Sequence, residues 1–251
     1  MIAFERDRLI VKVLASRLEL GRTAAEIVAD KIRRLMIDKT FVNIIFAAAP
    51  SQNEFISCLL EQQDIDWGRV NAFHMDEYIG LPKNAPQLFS SFLKERLFDH
   101  LKFRTVNYIN GNTVDPEDEC KRYSKILAEN PPDVVCMGIG ENGHIAFNDP
   151  HVADFNDPKS VKVVDLDLAC RQQQVNDGCF SSISDVPIHA ITLTIPTLMS
   201  ARSIYCMVPG KRKANAVAAL LNSEINERCP ASVLRTHPDA ILFLDRDSFL
   251  Q

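Results

Sequence analysis

Long apolar runs are missing from this sequence. None of its 251 residues belongs to a stretch that reaches the length of a membrane span. The opening MIAFERDRLIVKVLASRLELG sets charged residues among apolar ones, so it lacks the uninterrupted core and small-residue cleavage site of a secretory signal. Basic runs are missing too: Arg33 and Arg34 are a helix-surface pair, and the formal net charge is −5, which argues against a nucleic-acid partner. The seven cysteines, Cys58, Cys120, Cys136, Cys170, Cys179, Cys206 and Cys229, are odd in number and scattered, with no C-x-x-C pair. That pattern argues against a disulfide framework, lends no support to a metal site, and fits reduced thiols in a cytoplasmic protein. Glycine is scarce, at nine residues.

What remains is 46% hydrophobic and 24% charged, enough for one domain over residues 1–251 with a sizeable core. From Gly21 to Ile37 apolar residues recur at helical spacing, and Phe41 to Ala48 is a short β-rich run. The alternation continues with a helix at 52–61, a strand at 70–74, a helix at 89–98, a strand at 106–109, a helix at 116–128 and a strand at 134–137. Further strands are expected at 189–194, 203–208 and 240–244, with a helix at 211–221. This order predicts an α/β fold, a single doubly wound, mainly parallel sheet with helices on both faces, Rossmann-like in architecture. The less regular stretch 151–186 reads as a lid or insertion within the domain.

Ligands of such sheets collect at the carboxyl ends of strands, so the polar residues there carry the functional reading. After the first strand stands AAAPSQNE, where Ser51 and Glu54 have capping-box spacing and the helix start is a ready anion site. After the second stands FHMDEYIGLP, in which Asp76 and Glu77 fit either a solvated turn or cap, or a carboxylate with a raised pKa that takes a proton beside a carbonyl. After the fourth comes Gly138 to Pro150, GIGENGHIAFNDP, which holds three of the nine glycines together with Asn142, His144, Asn148 and Asp149. Glycines at 138, 140 and 143 permit tight turns and close approach, and His144 stands between an amide and a carboxylate able to orient it.

Two of these segments carry a resemblance. The chain is similar to the glucosamine-6-phosphate deaminase/isomerase family, whose patterns M-D-E-Y-x-G-L-P and G-x-G-x-(D/N)-G-H-I-x-F-N-E-P both occur here in order. The related 6-phosphogluconolactonases share a G-x-G-x-D-G-H core but continue differently after the histidine, whereas Ile145, Ala146, Phe147 and Asn148 follow the deaminase pattern. The resemblance implies conversion of glucosamine 6-phosphate and water to fructose 6-phosphate and ammonia, in amino-sugar catabolism and with no cofactor. It implies that Asp76 moves the C2 proton to C1, that His144 opens the sugar ring with help from Asn142 and Asp149, and that Gly140, Ser51, Gln52 and Lys213 meet the substrate or its phosphate. A small-molecule sugar phosphate is the partner implied, without membrane or nucleic acid; family members are often homo-oligomers.

The sequence departs from the family at several points. Asn142 stands where many members have aspartate, and Asp149 where they have glutamate, one methylene longer. Ala49-Pro50-Ser51-Gln52-Asn53 replaces a T-G-G-T-P type of phosphate loop, and a family arginine is missing from VNDGCF at 175–180, with Arg171 nearby as a substitute. These changes keep open galactosamine 6-phosphate as substrate, a lactonase-like hydrolase, and a catalytically silent sugar-phosphate sensor. The segment after Asp149, PHVADFNDPKS, lacks the hydroxyl residues and basic pair of the allosteric site of regulated members. Hyperbolic kinetics are therefore expected; sigmoidal kinetics relieved by N-acetylglucosamine 6-phosphate would contradict this.

Overall fold

Burial on both sides of single strands sets the architecture. In Val134–Met137 every residue is buried, with Val134 and Cys136 facing one apolar cluster and Val135 and Met137 the other. Strands covered on both faces are those of parallel sheets flanked by helices. The computed structural model describes residues 1–249; Leu250 and Gln251, the end of the expected domain, lie outside the described residues.

The chain opens with β1 (Ile2–Arg6), β2 (Leu9–Leu14), α1 (Arg17–Asp38), β3 (Val42–Phe46), α2 (Asn53–Leu60), β4 (Val70–His74) and β5 (Asp76–Tyr78). It continues through α3 (Phe89–Leu93), β6 (Thr105–Asn107), α4 (Pro116–Glu129), β7 (Val134–Met137), β8 (Val161–Asp165) and α5 (Leu168–Asn176). It closes with β9 (His189–Leu193), α6 (Ile195–Met199), β10 (Ser203–Val208), α7 (Ala214–Asn222) and β11 (Ala240–Asp245). Eight strands form the main sheet in the order β1-β2-β11-β10-β7-β3-β4-β6, parallel except for β1 against β2. One face packs on α1 and α2 through Ala24, Val28, Ile32, Phe55 and Leu59. The other packs on α4 and α7 through Tyr123, Leu127, Val217 and Leu220. This is the mainly parallel, doubly wound sheet that the alternation of elements implies.

From β3 the chain builds outward to β4 and β6, then returns to place β7 on the opposite side of β3. The order reverses between β3 and β7, and the crevice at their carboxyl ends is where such a sheet admits a ligand.

Three local features differ from expectation. The N-terminal hairpin β1–β2 was not expected, because its turn is Asp7-Arg8 and carries no Asn-Gly or Asp-Gly signal; Asp7 takes a positive φ of 53°. The strand expected at 189–194 does form, but in a second, antiparallel sheet of order β5-β9-β8, beside the main one. Lastly, the Ser51–Glu54 capping box does not form. Pro50 begins a 3-10 turn ahead of α2, and the Glu54 carboxylate accepts both Nε and Nη2 of Arg17 at 2.9 Å. A guanidinium with a full charge outcompetes the Ser51 backbone N–H, the donor of a capping box, for that carboxylate.

The helices α1 and α2 meet at Gly21, where an added Cβ would stand 2.6 Å from the Glu54 carbonyl carbon and 2.8 Å from the Phe55 nitrogen. In an exposed helix Gly→Ala stabilises by about 1 kcal/mol. Here the clash reverses the sign: Gly21→Ala is expected to cost about 1–3 kcal/mol, as overpacking does. Thermal denaturation checks this, and an unchanged or raised Tm would contradict the close packing.

Candidate active site

A cavity of about 770 Å³ opens at the switch point, lined among others by Ser51, Asp76, Gly140, His144, Gln173 and Lys213. These residues come from the ends of β3, β4, β7 and β10 and from α5. The topology gathers them from positions up to the far end of the chain.

Asp76 begins β5, directly after β4 ends. Its backbone is fixed from several sides: in the register of the second sheet it faces Thr192, and its carbonyl accepts Nδ1–H of His74 at 2.9 Å. The Nε2 of His74 in turn accepts the Ile109 N–H at 2.9 Å. Burial holds this histidine's pKa down at about 4, so it is a neutral spacer with its tautomer set by those two bonds. The Asp76 carboxylate lines the cavity and has no hydrogen-bond partner among the described residues. Burial, and then the neighbouring Glu77 charge, push its pKa well above the ordinary carboxylate range.

Glu77 has a different task. It is fully buried, and its carboxylate accepts backbone N–H groups of Tyr78, Phe89 and Ser90 at 3.0, 3.0 and 2.9 Å. Of the acidic pair, one member thus ties the start of α3 to β5 and the other faces the cavity.

The loop after β7 is built around His144. Gly143 takes the left-handed φ of 83°, and the imidazole lies over Gly140, where a Cβ would stand 2.2 Å from ring Cε1. Nδ1 of His144 bonds Asp149 Oδ1 at 2.8 Å. Although one methylene shorter than glutamate, Asp149 reaches the ring. Burial works to raise its pKa, but the bond and charge of His144 and the bond from Asn142 outweigh that and hold it below the ordinary value. An ionised Asp149 accepts the Nδ1 proton and leaves Nε2 with no protein partner among the described residues. Asn142 does not touch the imidazole. Its Oδ1 accepts the His144 backbone N–H at 3.1 Å, and its Nδ2 donates to Asp149 Oδ1 at 2.8 Å. It orients the pair from behind, which a residue with both donor and acceptor can do and an aspartate cannot.

Lys213 sits in the 3-10 turn after β10 and is only 7% exposed. Burial lowers its pKa, against the opposing influence of Asp177 and Glu141. No hydrogen bond or ion pair to its ammonium is found among the described residues. A buried, uncommitted cation beside a cavity suits an anionic ligand. Ser51 also lines this part of the cavity, but Gln52 does not: it is 1% exposed and lies behind Ser51, donating to Ser51 Oγ at 3.1 Å. The 3-10 turn rotates it inward. Arg171 is no substitute for the missing arginine, because its guanidinium donates to the carbonyls of Ile183 and Val186 outside the cavity.

Sequence reasoning missed Arg17, His74, Gln173 and Thr192. Gln173 Oε1 accepts the Glu141 N–H at 2.8 Å, tying α5 to the His144 loop, and Thr192 Oγ1 accepts the Phe147 N–H at 3.1 Å. Only the missing arginine at 175–180 hinted that a cation had to come from elsewhere. As for metals, His144, Asp149 and Cys170 set ligand atoms within 4.8 Å of one another, as do Asp149, His151 and Asp167. Burial, then the charges of Asp149 and Asp167, push the Cys170 thiol far above its usual range.

A doubly wound sheet with a carboxylate, a carboxylate-bound histidine and a buried lysine at its switch point is the class of site that takes up a small anionic ligand and moves protons on it. The chain matches the family described as glucosamine-6-phosphate isomerases/6-phosphogluconolactonase over residues 15–242, and it belongs to that family. A glucosamine-6-phosphate deaminase of Bacillus cereus is 40% identical over 189 residues, 75% of this chain and 70% of the relative. A solved monomeric glucosamine-6-phosphate deaminase superposes with a TM-score of 0.87 at 32% identity, covering 95% of this chain and 98% of that one. A 6-phosphogluconolactonase of Thermotoga maritima shares the fold, with a TM-score of 0.77 at 20% identity, covering 95% and 100%.

Asp76 gives a stability test independent of turnover. A carboxyl whose pKa is raised on folding costs nothing where both states are protonated, and lowers stability as pH rises from the unfolded toward the folded pKa. Asp76→Asn is therefore expected to raise the Tm at neutral pH, with the gain fading as pH falls below about 4. A gain independent of pH, or a loss at neutral pH, would contradict the burial of an uncompensated charge.

Proposed function

We propose that this protein is a deaminating aldose–ketose isomerase that converts glucosamine 6-phosphate and water to fructose 6-phosphate and ammonia. One observation carries the reading: a desolvated carboxylate with no protein partner shares a cavity with a histidine whose Nδ1 is committed and whose Nε2 is free. Ring opening needs a group that both takes and gives a proton near neutral pH, which suits His144 Nε2; Asp149 fixes its tautomer, and Asn142 holds both. Abstraction at C2 needs a base held against a carbon acid, and desolvation strengthens Asp76 as such a base.

The substrate's own ammonium at C2 favours the ionised form of that base once bound. Transfer of the proton from C2 to C1, with one ammonium proton passing to the C1 oxygen, gives a C2 iminium, and water then adds at C2 and displaces ammonia. The steps are redox-neutral, proton transfers followed by hydrolysis of the C–N bond, so no electron-carrying cofactor is called for. Lys213 and Ser51 receive the phosphate, and Gly140 lets the imidazole lie close to the floor of the site. Identity of 40% to glucosamine-6-phosphate deaminases supports the same chemistry, and the continuation of the His144 loop supports the deaminase over the lactonase branch.

The unpaired cysteines, six buried and Cys179 partly so, support a place in the reducing cytoplasm, and among the described residues no helix is long and apolar enough to cross a membrane.

The test is to supply glucosamine 6-phosphate and galactosamine 6-phosphate and to measure ammonia and ketose together. Both products are expected in equal amounts from the first sugar, and ammonia from neither would overturn the proposal. Asp76→Asn is expected to lower kcat by about 10²–10⁴-fold, the usual contribution of a general base. A variant that instead hydrolysed 6-phosphogluconolactone at an undiminished rate would move the assignment to a hydrolase in which Asp76 is idle.

A further inference from the structure

We propose that Arg17, at the start of α1, is the second cation of the phosphate-binding end of the cavity, and that Asp177 is a carboxylate that competes with the phosphate there. The proposal rests on the reading of the substrate as a phosphorylated sugar and deepens it, because nothing in the resemblance points to either residue.

Arg17 lines the cavity next to Pro50 and Ser51. Its position is held by a fork: Nε and Nη2 donate to the two oxygens of Glu54, and Nη2 also donates to the Pro50 carbonyl at 3.0 Å. Nη1 has no partner among the described residues. The fork therefore leaves the Nη1 edge without a protein partner on a side chain that lines the cavity together with Ser51, with its geometry already set. At this loop Pro50 has no N–H and the Gln52 N–H is spent on the Ala49 carbonyl at 2.9 Å, which leaves fewer backbone donors for an anion. A dianionic phosphate gains from a side-chain cation here, and a planar, permanently charged guanidinium suits it.

Asp177 follows α5 and lines the same cavity with Arg212 and Lys213. It pairs with Arg212 Nη1 at 3.6 Å, and its Oδ2 accepts Nε2 of Gln173 at 3.3 Å. Its charge is felt by both Arg17 and Lys213. The carboxylates facing Arg17 are thus Glu54 from α2, Asp177 after α5 and Asp245 at the end of β11, the last of which accepts the Gly210 N–H with both oxygens at 3.0 Å. Glu54 is committed to the fork that holds Arg17, and Asp245 to the Gly210 and Ser248 N–H groups. Asp177 is the one held only by a long ion pair and a long hydrogen bond from Gln173, at the cavity wall beside Arg212 and Lys213, where a phosphate competes with it for these cations. Phosphate binding displaces its carboxylate from these cations.

The experiment compares Arg17→Ala, Glu54→Gln and Asp177→Asn in the full chain, using inorganic phosphate by calorimetry and glucosamine 6-phosphate by turnover. Loss of a charged hydrogen-bonding group is expected to weaken phosphate binding and raise KM about ten- to one-hundredfold in Arg17→Ala, with kcat little changed. Glu54→Gln keeps the cation but loosens its fork, so it is expected to raise KM by much less than Arg17→Ala does, and Asp177→Asn is expected to lower it. If Glu54→Gln raises KM as much as Arg17→Ala, Arg17 serves only to hold the loop and the proposal falls. It also falls if Asp177→Asn weakens phosphate binding. Phosphate binding that depends on Arg17 in a protein that releases no ammonia would sink the deaminase reading while leaving this one standing. Normal turnover with an unchanged KM in Arg17→Ala would do the reverse.

Discussion

The site depends on one strand, β9. It lies outside the main sheet, yet it is where the two halves of the chemistry are joined. Thr192 faces Asp76 in the register with β5, while its hydroxyl accepts the Phe147 N–H of the histidine loop. Leu193 repeats the arrangement: its N–H donates to the Met75 carbonyl at 2.8 Å, and its own carbonyl accepts Nδ2 of Asn148 at 2.8 Å. The carboxylate and the histidine come from different strands of the main sheet, with β3 between them. Neither strand alone fixes their separation. A short, fully hydrogen-bonded clamp across both does so with backbone precision, which is the geometry a proton-transfer site needs.

That clamp also explains which parts of the molecule were legible in the sequence. The strands buried on both faces, Val42–Phe46, Val70–His74, Val134–Met137, Ser203–Val208 and Ala240–Asp245, are apolar runs between helical periods, and they read clearly. The hairpin at the start is edge structure in which β1 is exposed along nearly its whole length, apolar Ile2 and Ala3 included, and its turn is atypical, so the pattern there is diluted. The second sheet could not be read, because β5 has three residues and a strand's sequence does not name its partner.

The site shows the same division. Asp76, His144, Asn142 and Asp149 stand in dense motifs, and the structure brings them together. The orientation of each was less legible: Asn142 acts behind the histidine, Glu77 caps α3, and Gln52 turns away from the cavity. Those outcomes follow from which donor reaches which acceptor in three dimensions. Arg17 was invisible for a further reason. It lies more than thirty residues before the loop it supports and belongs to no motif, and its place follows only from the packing of α1 on α2.

The charges left unmatched in the cavity favour one kind of ligand. Asp76 and Lys213 are both buried, both open to the cavity, and neither is paired with the other or with a third group among the described residues. An uncompensated buried charge costs stability whatever its sign, and a protein carrying two of opposite sign would gain by pairing them. The fold instead holds them apart, one at the end of β4 and the other after β10. A ligand that relieves both must bring a cation to the first and an anion to the second. An amino-sugar phosphate does so, with its ammonium at C2 and its phosphate at the far end of the carbon chain. A phosphorylated lactone brings only the anion and leaves Asp76 without a counter-charge. The arrangement of desolvated groups thus favours the deaminase reading over the hydrolase on physical grounds that do not rely on kinship.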